Sequence, residues 1–228
     1  MRPRAAIVVF PGSNCERDCA TAWAALGGES VMVRHSDDVL PDADVVILPG
    51  GFAHGDYLRT GAIARFSPIM RAVAEHAGEG GLLIGICNGF QILCESGLLP
   101  GAFCKNRGLK FLCTWTDLRV DNPNTPFTSR CRPRQTLKLP INHFEGNWYC
   151  EPSTLDRLRA NDQVVLRYAH NPNGSIDDVA GICNEDRTVF GLMPHPERAC
   201  EATLGSTDGA LVLGSMLDRV ATVESLPV

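Results

Sequence analysis

The chain has 228 residues, a net charge of −5 and 44% hydrophobic residues, an ordinary globular profile at a length that buries roughly 70% of the unfolded surface without disulfides or metals. The acidic balance gives no general pull toward nucleic acid or an anionic membrane, and no apolar run reaches the ~20 residues of a membrane-spanning helix. Met1-Arg2-Pro3-Arg4 leads straight into a strand-like run, without the apolar region and cleavage site of a secretory signal, so a cytoplasmic location is expected.

In chain order, residues 5–10 read as a buried strand ending at Pro11-Gly12-Ser13-Asn14. A helix should follow through Trp23 and Leu26, closed by Gly27-Gly28. Strands are predicted over 30–35 and 44–48, the latter stopped by Pro49-Gly50-Gly51, and a helix over 65–77. Residues 82–86 form a fourth strand, with a helix over 88–96. This βαβα rhythm predicts an α/β fold, an open, mostly parallel sheet with helices on both faces. The rhythm breaks between Gly97 and Pro152, where 111–120 and 135–141 read as strands of an antiparallel excursion around a polar loop at 121–126. Strands at 164–169, 179–183 and 189–193 and a helix over 208–223 complete a single expected domain over 1–228.

The ten cysteines include no Cys-x-x-Cys pair, so neither a zinc ribbon nor a redox dithiol is indicated and no metal site is expected. Most should be reduced core residues. Cys87 differs in its setting. Gly85-Ile86-Cys87-Asn88-Gly89 lies between a buried strand and a helix, the Gly-x-nucleophile-x-Gly pattern of a sharp turn that projects a reactive side chain at the carboxyl end of a sheet. The helix dipole there favours thiolate over thiol. The competing reading is a buried cysteine beside glycines that only allow close helix–strand packing. Cys15, after Pro11-Gly12-Ser13-Asn14, is a rival nucleophile without the flanking glycines, which favours a structural or interface role.

A cysteine nucleophile needs a base and a group to orient it. Pro194-His195-Pro196-Glu197 ends the strand at 189–193, and residues two apart in extended chain project to one side. His195 can therefore face Cys87 with one ring nitrogen and Glu197 with the other; the alternative is a solvated surface turn. An oxyanion needs donors, for which the N–H of Asn88 and that of Gly51, in the Pro49-Gly50-Gly51-Phe52 loop, are the candidates.

Together, Pro49-Gly50-Gly51, Gly85-Ile86-Cys87-Asn88-Gly89-Phe90-Gln91 and Pro194-His195-Pro196-Glu197 resemble the class I, or triad, glutamine amidotransferases. Ser13-Asn14-Cys15 and Cys87-Asn88-Gly89-Phe90-Gln91 narrow the resemblance to the small glutaminase subunits of purine biosynthesis, and it includes Phe10-Pro11-Gly12-Ser13-Asn14-Cys15 and Gly55-Asp56-Tyr57-Leu58-Arg59. The resemblance implies a flavodoxin-like fold, L-glutamine as substrate and a γ-glutamyl thioester on Cys87. It implies that Gln91 contacts the bound glutamine and that backbone at Asn142-His143-Phe144 holds its α-substituents, with Phe144 standing where the family often has glycine. Ammonia would pass to a separate synthetase subunit carrying ATP and Mg, with a small bridging subunit between the two. No cofactor on this chain and no nucleic-acid or membrane partner is expected, and the sequence has no Gly-x-x-x-x-Gly-Lys-Ser/Thr loop of its own. The alternatives are a stand-alone γ-glutamyl hydrolase or peptidase and a regulatory binding module on the same fold.

Overall fold

Six residues, Arg4–Val9 (β1), open the chain as a strand whose apolar middle is wholly buried. The computed structural model describes residues 2–224. After β1 come α1 (Glu16–Ala25), β2 (Glu29–Arg34), β3 (Val45–Leu48), α2 (Ile69–Gly78), β4 (Leu82–Ile86) and α3 (Asn88–Glu95). Every residue of β3 and β4 is buried, as continuous apolar strands must be when both faces of a sheet are covered. The helix expected over 65–77 begins later. Residues 64–66 make one tight 3-10 turn, and Ser67 is extended with ψ 140°, because the ring of Pro68 disfavours helical geometry in the residue before it.

The second half holds β5 (Ala102–Cys104), β6 (Leu112–Val120), β7 (Thr136–His143), β8 (Asn147–Tyr149), α4 (Pro152–Ala160), β9 (Val164–Tyr168), β10 (Val179–Cys183), β11 (Val189–Leu192) and α5 (Gly209–Glu224). The main sheet has nine strands in the order β2-β1-β3-β4-β11-β10-β9-β6-β7. Its first five pair in parallel, in the 2-1-3-4 sequence of flavodoxin-like folds followed by β11. From β11 onward every pairing is antiparallel. The antiparallel excursion thus prolongs the same sheet, taking in β9 and β10 as well as β6 and β7.

Three elements have no counterpart among those expected from the sequence. β5 and β8 form a separate two-stranded ribbon, each only three residues long, too short to leave a period. α4 carries Pro152 at its start, Arg157 and Arg159 in its last turn and buried Leu155 and Leu158. Those are start, stop and packing signals written in the chain itself.

Register decides where the functional loops meet. Leu48 pairs with Gly85, and Ile86 with Leu192, so the carboxyl ends of β3, β4 and β11 lie side by side. The Cys87 amide donates to Leu192 O at 2.8 Å, and a bridge between Ser13 and Gly51 brings in the loop after β1. The His195 amide donates to Pro140 O of β7 at 2.9 Å, pinning the last strand's exit to the antiparallel half.

Candidate active site

The turn from β4 to α3 has no spare volume. A Cβ on Gly89 would lie 2.0 Å from Leu48 O, and one on Gly85 would lie 2.7 Å from the Gly89 carbonyl carbon. Both glycines are therefore there for close helix–strand packing, the blander reading of the pentapeptide. That packing also forces Cys87 to φ 52°, ψ −105°, a strained conformation for a residue with a side chain that costs on the order of 1–3 kcal/mol. The packing and nucleophile readings are compatible with one and the same turn. Its thiol is buried at the start of α3 and lies 3.7 Å from Asn142 O.

His195 and Glu197 are also buried. His195 is extended, but Pro196–Arg198 forms a 3-10 turn, so the pair meets through a turn and not along the extended segment expected. Nδ1 of His195 is 2.7 Å from Glu197 Oε1, while Nε2 and Glu197 Oε2 are buried without a hydrogen-bond partner. Burial pushes the imidazole toward neutrality, but the negative charge of Glu197, reinforced by Cys87 and Cys15, overrides it and holds His195 well above its ordinary pKa. The imidazolium kept charged in this way is the group that favours a thiolate; the carboxylate's own charge opposes one, as it does at Cys15.

Cys15 lies beside the Nδ1 edge of the imidazole. Its Sγ is 4.0 Å from His195 Nδ1, the nitrogen already bound to Glu197, and accepts from Arg198 Nη2 at 3.2 Å. Burial pushes its thiol up despite the hydrogen bond from His195. The residue is buried and packs beside the histidine. Cys15, His195 and Glu197 place three ligand-type atoms within 4.8 Å of one another. The guanidinium against Cys15 Sγ opposes a cation there, and Nδ1 is already engaged.

The Gly51 amide belongs to the loop after β3, where φ is +150° and a Cβ would collide with Asn14 N and Gly12 O at 2.7 Å, so only glycine fits. The next two amides are committed: Phe52 N–H to Gly12 O at 2.8 Å and Ala53 N–H to Asn88 Oδ1 at 3.0 Å. Asn88 N–H opens α3 and so has no acceptor within the helix. The Asn88 side chain contributes something the sequence did not suggest. Besides accepting from Ala53, it donates to Gln91 Oε1 at 2.9 Å and Asp56 Oδ1 at 3.3 Å, locking the Gly51 loop to the elbow.

Gln91, His143 and Phe144 line a pocket of about 190 Å³ together with Gly51 and Cys87. Asn142 meets the site through its carbonyl. Gln91 donates to Glu145 O at 2.6 Å, so one of its N–H groups and its oxygen are spent holding the loop in place. His143 is buried, and burial followed by the His195 charge pushes it down to about 3, leaving it neutral. Asn173 Oδ1 accepts from Ser175 N–H at 3.0 Å, which turns its amide nitrogen toward His143 Nε2 at 3.2 Å. The proton of His143 therefore sits on Nδ1, which has no acceptor in the protein. Asn106 secures the same loop, donating to His143 O at 3.0 Å and accepting from Gly146 N–H at 3.0 Å. Its own amide donates to Phe144 O at 2.9 Å, and Lys105 Nζ lies 5.8 Å from the centre of the Phe144 ring. Asn106 and Asn173 act across long sequence separations, and no local pattern marks them.

The model of the CobB/CobQ-like glutamine amidotransferase domain matches residues 2–209. The chain belongs to this family. As a member of it, the chain is 53% identical to the phosphoribosylformylglycinamidine synthase subunit PurQ of Rubrobacter xylanophilus, over 94% of this chain and 97% of that one. It is 51% identical to the protein of the same name from Cereibacter sphaeroides, over 96% and 100%. Among solved structures it superposes on a chain of the PurLQS structure from Thermotoga maritima with TM-score 0.90 and 46% identity, covering 96% of this chain and all of that one. A glutamine amidotransferase from Thermotoga maritima shares the fold at TM-score 0.58 and 14% identity, over 98% of this chain and 93% of that one. Among the described residues, no helix is long and apolar enough to cross a membrane.

Proposed function

We propose that this chain, as one amidotransferase domain, is the glutaminase subunit of a phosphoribosylformylglycinamidine synthase. The observation that carries the reading is the strained Cys87 beside a buried His195–Glu197 pair 2.7 Å apart, in a chain about 50% identical to the PurQ subunits over nearly its whole length. Cys87 thiolate attacks the side-chain amide carbon of L-glutamine, and the N–H groups of Gly51 and Asn88 receive the developing oxyanion. Imidazolium at His195 gives its proton to the departing nitrogen, so ammonia leaves and a γ-glutamyl thioester remains. His195 then takes a proton from water, which attacks the thioester to release glutamate and restore the thiol. Glu197 holds the imidazole in the required tautomer. Gln91, the Asn142 and Phe144 backbone and the Nδ1–H of His143 position the substrate.

Ammonia is delivered to a synthetase subunit, which binds ATP and Mg and converts formylglycinamide ribonucleotide to the amidine in the cytoplasm. A small third subunit bridges the two. The PurLQS structure supports assembly with partner subunits, since its matching chain is similar to this one end to end. The test is ammonia release from glutamine by the chain with and without its synthetase. Cys87→Ala should abolish it while leaving the thermal transition in place. Native-rate hydrolysis by that variant would overturn the assignment, and activity indifferent to the synthetase would move the chain to a stand-alone hydrolase.

A further inference from the structure

The two charged residues that line the pocket beside Cys87 are both acidic, Asp56 and Glu145. Among the described residues neither forms an ion pair. Asp56 accepts from Asn88 Nδ2 at 3.3 Å. The cations at hand are committed elsewhere: Arg59 is bidentate to Glu95, and Lys105 lies over Phe144. A second observation points the same way. His143, buried in the lining of the same pocket, keeps an Nδ1–H with no protein acceptor. One orphan donor and two unpaired carboxylates around a nucleophile suit a ligand end that carries both a carboxylate and an ammonium.

We infer that Asp56, reinforced by Glu145, receives the α-ammonium group of the bound amide substrate and so restricts the site to α-amino-acid amides. This assignment rests on the glutaminase reading above. The α-ammonium is the only cation on glutamine, and a half-buried carboxylate with a second one behind it attracts a cation more strongly than an isolated surface acid does. Asp56 is also held in place. Its backbone has φ 53°, a conformation that Asp and Asn tolerate better than other side chains, and Asn88 ties it to the elbow.

The charge balance around Asp56 has a pH signature. Burial, then the charge of Glu145, raises its carboxyl to about 6, against the hydrogen bond from Asn88. The other titratable groups of the pocket are Cys87 and His143. His54, two residues away, is pushed down by burial and by His35, so it supplies no compensating charge. In the free protein Asp56 therefore takes up a proton as pH falls through about 6, and the attraction for an ammonium fades below that point.

The experiment is glutaminase kinetics on the full chain with its synthetase, using L-glutamine and its analogue lacking the α-amino group, glutaramate. Asp56→Asn is isosteric, suits the positive φ and keeps an oxygen to accept from Asn88, so it isolates the charge. KM for glutamine should rise at least ten-fold at pH 7.5, about 1.4 kcal/mol, with kcat changed less than three-fold. The rise of KM below pH 6 should vanish, and the already weak reaction of glutaramate should not weaken further. An unchanged KM for glutamine, or equal losses on both substrates, overturns the inference. A native chain that releases no ammonia from glutamine would overturn the glutaminase reading itself, a separate and distinguishable result.

Discussion

Gly89→Ala puts one methyl group where the elbow has none. The added Cβ would lie 2.0 Å from Leu48 O, 2.7 Å from Leu48 C and 2.9 Å from Leu48 Cβ, so the carbon must retreat from the oxygen by about 1.3–1.6 Å to reach the 3.3–3.6 Å seen for close C···O contacts. Leu48 cannot easily yield. It pairs with Gly85 in the sheet and leads into the Gly51 loop. α3 must move instead, carrying Cys87 and the Asn88 amide with it. Overpacking of this kind costs about 1–3 kcal/mol, reduced by up to ~1 kcal/mol because alanine is the better helix former. The net loss of up to about 3 kcal/mol lowers Tm by up to roughly 12 °C at this chain length. A shift near 1 Å between nucleophile and base costs on the order of 100-fold in rate. Thermal unfolding and alkylation of Cys87 by a glutamine-like electrophile measure the two effects. Gly78→Ala is the control, because nothing lies within 4 Å of its added carbon; it should be neutral or stabilising by up to ~1 kcal/mol. Gly89→Ala with an unchanged Tm and a native alkylation rate would refute the close-packing account of the elbow.

Glu197→Gln removes the charge that holds His195 cationic. At about 1.5–3 kcal/mol for a hydrogen bond to a charged group, glutaminase activity should fall roughly 10- to 150-fold. With the carboxylate gone the His195 pKa drops, so the alkaline limb of Cys87 alkylation should move to lower pH; a limb that stays in place would contradict the role given to Glu197. Cys15→Ser should keep most of the activity, within about ten-fold, with mass spectrometry finding the electrophile on Cys87 in both proteins; label on Cys15 in the native chain would reverse the assignment of nucleophile. Asn173→Ala removes the amide whose two N–H groups serve His143 Nε2, Tyr168 Oη and Gly146 O; Gly146 O keeps the Trp148 N–H, while each buried group left unsatisfied costs about 1–3 kcal/mol. Denaturant titration should show at least ~2 kcal/mol lost and KM for glutamine raised, whereas a fully stable variant would mean these contacts carry little.

The parallel half of the sheet was legible in the sequence because its strands are short apolar runs stopped by glycine and proline, signals local to each segment. The same holds for the elbow, where two glycines four residues apart around Cys87 state a packing requirement in the chain itself. The antiparallel half was only partly legible. β6 and β7 carried strand patterns, but nothing local says that they join the main sheet through β9 and β10, since strand order is fixed by packing between distant segments. The ribbon of β5 and β8 is too short to leave a period. In the site, Cys87, His195, Glu197, Gly51 and Asn88 stood out because each lies in a motif beside a predicted strand end. Tertiary structure alone decided that Cys15 sits beside His195, that Asn173 across 30 residues sets the His143 tautomer, and that Asp56 faces the same pocket as Cys87. Those relations depend on which strand ends the register brings together, and a one-dimensional pattern holds no distance between loops dozens of residues apart.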